Sequence, residues 1–295
     1  MKKLLNLTSI LLTAIGFSQP ITVSTSSYTV PEMVNNVLIG SPCVSASNIT
    51  WSTGTNFGST NGIGFFQNTN PNFPMQSGVV LSTGDVTNAS GPNNSLLSDG
   101  SPTWPGDTNL ETTMATYGVS MVSKNATILE FDFTPISSYF SFDFIFASEE
   151  YGNFQCQFSD SFAFLLTNTS TGVTTNLAVL PNSNTPISVV TIRDFLYNSS
   201  CPSVNSQFFG SYNGGSNAAS SATNFNGQTK VLTAESVLTP GVTYHIKLVI
   251  ADRVDPQFDS AIFIAANSLN IGQEVLGQDL LISNNNALCF GTNHT

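Results

Sequence analysis

Apolar and polar positions alternate along much of this chain. In residues 141–151, SFDFIFASEEY, Phe142, Phe144 and Phe146 take every second place, and the alternation stops at two adjacent glutamates, Glu149 and Glu150. A period of two marks a strand, whose successive side chains point to opposite faces. Alternation or short β-branched runs predict further strands at 43–51, 78–82, 127–133, 139–147, 161–167, 187–192, 229–232, 242–251 and 260–267. Turn-rich Asn, Gly, Ser and Pro text separates them. Only two stretches carry a helical period. Residues 31–38 open on Pro31, place Val34, Val37 and Leu38 on one stripe and stop near Gly40. Residues 108–117 follow a capping Asp107, align Leu110, Met114 and Tyr117, and end at Gly118. The expected fold is all-β: an antiparallel β-sandwich, jelly-roll-like, with two short helices at its ends or edges and long loops. The two longest loops are 83–106, which holds Asp85 and Trp104, and 198–227, which reads as a variable surface loop.

Composition fixes the compartment more than the chemistry. Charged residues make up 8% of the 295, against about 25% in an average soluble protein, so neutral polar residues must cover the surface. Residues 1–18 read as an export signal. Lys2 and Lys3 precede a mostly apolar run, and Gly16-Phe17-Ser18 offers small residues for cleavage before Gln19. The alternative, a membrane anchor, needs ~20 apolar residues and finds fewer. No later segment is long and apolar enough to span a bilayer. Removing Lys2 and Lys3 leaves five basic residues against eighteen acids, a net charge of −13. That balance repels phosphate backbones and excludes nucleic acid as a natural partner. Cations fit it better, or the acids simply keep an exported protein soluble. The expected location is secreted or cell-surface, and the expected partner is an extracellular protein or glycan. Four cysteines in an exported chain suggest disulfides. Cys156 and Cys201, both in polar loop text, are the favoured pair, while Cys43 and Cys289 have no evident partner. The domain is expected over 19–272, with 273–295 a linker and the opening of a further, truncated β-module.

The acids gather where strands end. One group is Glu149, Glu150 and Asp160; the other is Asp252, Asp255 and Asp259. If the strand ends at Ser148, the turn frees both glutamates to converge; if it continues, they face opposite ways. Carboxylates brought together raise one another's pKa, and a bound cation removes that cost. Ca²⁺ is the expected cofactor, because it takes oxygen ligands from carboxylates, carbonyls and water. Asp85 and Asp107 form a second tier of ligands. The bland alternative pairs Arg253 with a neighbouring acid and leaves the others solvated. No D-x-D-x-D-G loop is present. Two carboxylates could also serve a glycoside hydrolase, but any chain with eighteen acids offers such pairs. His245 shares a strand face with Lys247, expected to meet solvent, and no nucleophile elbow or H-E-x-x-H occurs. The chain therefore reads as non-enzymatic. Trp104, between two prolines, and Tyr212 are candidates for stacking on a sugar ring, and Trp104 could equally be a lid on the core.

Five segments in order carry a resemblance: VLSTGDVTNASGPNNS (80–95), PGDTNLE (105–111), FDFIFASEEY (142–151), DSFAFLL (160–166) and TYHIKLVIADRVDPQFDSAIFIAANSL (243–269). Together they resemble the choice-of-anchor L domain family of exported proteins in Bacteroidota and some other bacteria. The resemblance spans about 21–269. It implies a surface domain attached through differing C-terminal signals, in Bacteroidota often type IX secretion or gliding-motility-associated modules. It implies location and architecture more than chemistry. Where a common family version has a Gly-rich AGDG-like turn, this chain reads RVDPQ, which weakens the calcium case for Asp255 more than for Asp252 or Asp259. Three readings follow: a calcium-stabilised adhesion or structural domain, a carbohydrate-binding module, and a carboxylate-pair hydrolase.

Overall fold

The computed structural model describes residues 19–41 and 44–272. The export signal, Cys43, Cys289 and the further module expected over 273–295 lie outside the described residues.

Two antiparallel sheets face each other. The first has eight strands. Along its main path run β1 (Thr22–Ser24), β3 (Ile63–Gln67), β4 (Ser77–Ser82), β13 (Ser260–Ala265), β6 (Tyr139–Ser148), β10 (Gly227–Thr229) and β9 (Phe209–Tyr212). β11 (Leu232–Val237) pairs with the first half of β6, while β10 pairs with its end. The second sheet runs β2 (Ser47–Ser52), β5 (Ser123–Phe133), β12 (Tyr244–Arg253), β7 (Ser161–Asn168) and β8 (Thr174–Asn176). A mostly β structure of two sheets matches the expectation. The thirteen described strands divide eight and five between the two sheets.

The alternation in β6 explains the packing. Phe140, Phe142, Phe144 and Phe146 face the second sheet and meet Phe133, Phe162 and Phe164, mostly edge-on or tilted at centroid distances of 4.9–6.3 Å. All are essentially fully buried. Burying each such side chain contributes about 1.5–3 kcal/mol. The intervening Ile145 and Ala147 are buried too, in a second cluster with Phe66, Val80, Phe225 and Phe263. The first sheet is thus covered on both faces, and the cover on its outer face comes from the long loops. Their Asn-rich text is structural: Asn224 Oδ1 accepts from the Asn94 and Ser95 N–H groups, and Asn93 donates to Asn226. The loop expected to be variable, 198–227, contains β9 and β10's first residue and is tied down by these bonds.

Both expected helices form. The first, α1, starts one residue early as Val30–Glu32, with Thr29 and Glu32 closing a capping box, and widens to a π-helix over Met33–Ile39 before Gly40 at φ 57°. It buries Met33, Val34, Val37, Leu38 and Ile39. The second, α2 (Thr108–Thr116), is capped by Asp107. It lies on the outer face of the second sheet, where Leu110 and Met114 cover Ala126, Ala163, Leu165 and Val249. This placement corrects the expected exposure of the His245–Lys247 face. Lys247 is buried beneath α2 and pairs with Asp107 (2.5 Å) and Asn109 (2.9 Å). His245 stands half-buried between Asp132 (2.7 Å) and Glu130 (3.0 Å).

The strand expected at 187–192 is a turn instead. Thr191 and Ser188 bond each other's side chains and backbone, so their hydroxyls replace a ladder while Ile187, Val189 and Ile192 still bury. Cys156 and Cys201 form a disulfide, with Cα atoms 5.5 Å apart.

Candidate functional site

The strand does end at Ser148, and the chain turns. That turn carries Glu149 and Glu150 into the protein, 1% and 4% exposed. β13 begins at Ser260, directly opposite Ser148 in the ladder, so Asp259 lies beside them. The second sheet supplies the rest. Asp160 precedes β7, and Asp252 sits near the end of β12, past a bulge against β5. All three aspartates are 1% exposed or less. Five acids from two sheets thus share one end of the sandwich.

Their partners are neutral. Glu150 accepts from the hydroxyls of Ser148 and Ser260, and its own N–H bonds Ser148 (3.0 Å). Glu149 Oε1 accepts the Leu97 N–H (3.2 Å). Asp160 Oδ1 accepts the Arg253 N–H (3.2 Å), and Asp252 Oδ2 accepts the Asn125 amide (2.7 Å). Both oxygens of Asp259 accept the Asp99 N–H at 3.0 Å. Three oxygens are left buried with no partner: Glu149 Oε2, Asp160 Oδ2 and Asp252 Oδ1. None of the ion pairs among the described residues involves these five acids.

Electrostatics follows from that burial. Desolvation, with Asp259 and Glu150 adding to it against the Leu97 N–H, raises Glu149 to about 8. Desolvation also raises Glu150 to about 8, with the Ser148 and Ser260 hydroxyls opposing and Asp255 adding. Asp259 rises to about 7, again chiefly through burial. Burial pushes Asp160 and Asp252 well above the usual aspartate range, and each feels Glu150 as a further negative neighbour. An unneutralised cluster therefore holds protons at neutral pH.

The remaining candidates separate from this group. Asp255 is half-buried, accepts the Gln257 N–H and faces a cavity. Asp85 caps the short helix Val86–Ala89 through Thr87, and Asp107 is occupied by α2 and Lys247. Trp104 is 1% exposed and donates its indole N–H to Ala126 O (2.8 Å), so its ring is core and offers no stacking face. Tyr212 stacks on Tyr197 at 4.5 Å, which occupies one face of its ring. Arg253 pairs with no acid; only its backbone bonds Asp160. Several contributors were missed from the sequence: Ser148, Thr83, Asn125 and Ser260. Asn125 is fully buried in β5 at φ 49°, and a polar residue of that kind inside a strand run was the available signal. Gly84 was another, since a Cβ there would come within 1.9 Å of Asp259 Oδ2.

Among the described residues, no three His, Cys, Asp or Glu side chains converge as they stand on one metal position. No described helix is long and apolar enough to cross a membrane. The choice-of-anchor L domain matches the chain over residues 22–270. No curated protein and no solved structure matches it.

Proposed function

The chain belongs to the choice-of-anchor L domain family, and from that premise we propose that it is an exported surface domain whose carboxylate end is locked by Ca²⁺. In this reading it is a non-catalytic domain of structural or adhesion type, which membership of that family supports. The observation that carries the cation is the set of three buried carboxylate oxygens without partners, in a five-acid cluster that takes part in none of the ion pairs among the described residues. A buried, unpaired polar atom costs about 1–3 kcal/mol, and more when charged. A hard cation offsets several such costs at once. Glu150, Asp160 and Asp252 supply the carboxylates of this reading, with the hydroxyls of Ser148, Ser260 and Thr83 as neutral oxygens within the same group. Ca²⁺ accepts such mixed oxygen sets, and the three acids, which do not converge on one position as they stand, close around the ion when it binds. Asp259, both of whose oxygens accept the Asp99 N–H, borders the site, and Glu149 brings its own open oxygen, Oε2, to it as a further donor. The ion then ties the ends of β6, β7, β12 and β13 together, which suits a domain that bears load outside the cell. Secretion to the cell surface, with an extracellular protein or glycan as partner, completes the proposal. A hydrolytic carboxylate pair finds less support, because these five acids lie beneath the surface, each 4% exposed or less.

Thermal unfolding with Ca²⁺ and with chelator tests this. A ligand that binds only the folded state adds about 2.7 kcal/mol at a hundredfold excess over Kd. The expected result is an upward shift of several degrees that Asp160→Asn and Asp252→Asn abolish. An unchanged melting temperature at millimolar Ca²⁺ refutes the cation.

A further inference from the structure

A cavity of about 330 Å³ opens between the turn after β6 and the turn after β12, with Glu150 at its floor. Its volume lies at the small end of small-molecule sites, which span about 300–1,000 Å³. Phe154 and Phe258 pack at 4.5 Å, and Phe158 meets Phe154 edge-on and stands 50% exposed at the rim. The cavity also holds Arg253, one of only two arginines in the chain. The other, Arg193, spends its guanidinium on the carbonyls of Pro202 and Val190. Arg253 forms no ion pair, and its Nε is buried without a partner. Arg253 thus shares its cavity with Glu150 and Asp255 without forming an ion pair to either. Its backbone is fixed by Asp160, and the next residue, Val254, sits at φ 78° with its N–H on Val122 O (3.0 Å). A β-branched residue rarely adopts positive φ, and such conformations gather at ligand clamps.

We propose that this cavity binds a pyranose ring bearing a carboxylate, a uronic-acid-type unit of an extracellular glycan. The guanidinium fork of Arg253 matches a carboxylate with two parallel hydrogen bonds. The half-exposed ring of Phe158 offers an apolar platform for the C–H face of the sugar. Gln157, Gln257 and Asp255 line the same space with planar polar groups suited to hydroxyls. A carboxylate alone would satisfy Arg253 but leave those groups unused, which is why a sugar acid fits better than an acidic peptide. The inference names a partner for the surface domain; Arg253, Phe158 and Gln257, which carry it, are not ligands of the proposed cation, while Glu150 is common to both sites, so binding is measured with and without Ca²⁺.

The test is an NMR titration of the purified chain with methyl glucuronide, methyl glucoside and N-acetyl-aspartate, each with Ca²⁺ and after chelation. The expected result is glucuronide binding with a Kd of about 1 mM or tighter, with shifts centred on residues 253–258 and 157–159. Arg253→Gln should weaken it by about tenfold or more, and Phe158→Ala, at the rim and therefore safe for folding, should weaken it too. The proposal is overturned by no binding, by glucoside or N-acetyl-aspartate binding as tightly, or by affinity unchanged in both variants. A cation that fails in the melting experiment leaves these outcomes readable, because the titration is followed in both buffers.

Discussion

Kept free of divalent metal, this protein should lose stability as the pH rises from 5 to 8, the reverse of a protein held by ordinary salt bridges. Glu149 and Glu150 are raised from 4.5 to about 8, and Asp259 from 3.8 to about 7. A group whose pKa is higher in the folded state contributes stability that is full below its unfolded value. That stability is lost as pH climbs through the folded value. Each shift of about three units corresponds to roughly 4–5 kcal/mol at about 1.4 kcal/mol per unit. The shifts do not add, because neighbouring acids share the same repulsion. Between pH 5 and 8 the folded state binds one or more extra protons. Stability should therefore fall by about 1.4 kcal/mol per pH unit for each of them. Urea unfolding of the chelated protein at successive pH values measures this directly. In Ca²⁺ the slope should flatten, because the ion replaces the protons. A chelated protein whose stability is constant or rises over this range would falsify the reasoning about the cluster.

Three further outcomes follow from particular side chains. Glu150→Gln should stabilise the chelated protein at pH 8 by about 2 kcal/mol, by removing a buried charge, and should lower the calcium-dependent gain; destabilisation in both buffers by equal amounts would refute that role. Trp104→Ala should cost about 3–5 kcal/mol in urea unfolding, as a core deletion does, and leave any sugar binding unchanged; a cost below 1 kcal/mol would mean that its burial matters little. Replacing both Cys156 and Cys201 by serine should cost about 2–4 kcal/mol, with hydrogen exchange rising first in the paired loops; uniform exchange across the sandwich would contradict a local staple.

Much of the fold was legible in the text because alternation reports burial. The Phe142, Phe144 and Phe146 series gave β6 nearly to the residue, and the caps at Asp107 and Gly118 gave α2. Short edge strands such as β1 and β8 have three residues each and too little pattern to read. The run 187–192 misled because buried apolar residues also occur in turns whose hydroxyls satisfy the backbone. The acids could be read as two groups at strand ends, but their meeting depends on how the sheets stack. Glu150 and Asp259 come from one sheet and Asp160 and Asp252 from the other, and spacing along the chain does not encode that. Trp104 was ambiguous for a related reason. A loop tryptophan between prolines looks exposed until the loop folds over the sheet edge, where Gly54 leaves room for its ring. The motif around Gly84 was legible as a pattern, and its reason, the closeness of Asp259, needed the coordinates.

The central claim is that a cation sits among Glu150, Asp160 and Asp252. Crystals grown with Ca²⁺ and measured where calcium scatters anomalously would test it most directly. The account predicts one anomalous peak with oxygens of these three residues at about 2.3–2.6 Å. No peak, with the carboxyls hydrogen-bonded to one another in the presence of millimolar Ca²⁺, would contradict it.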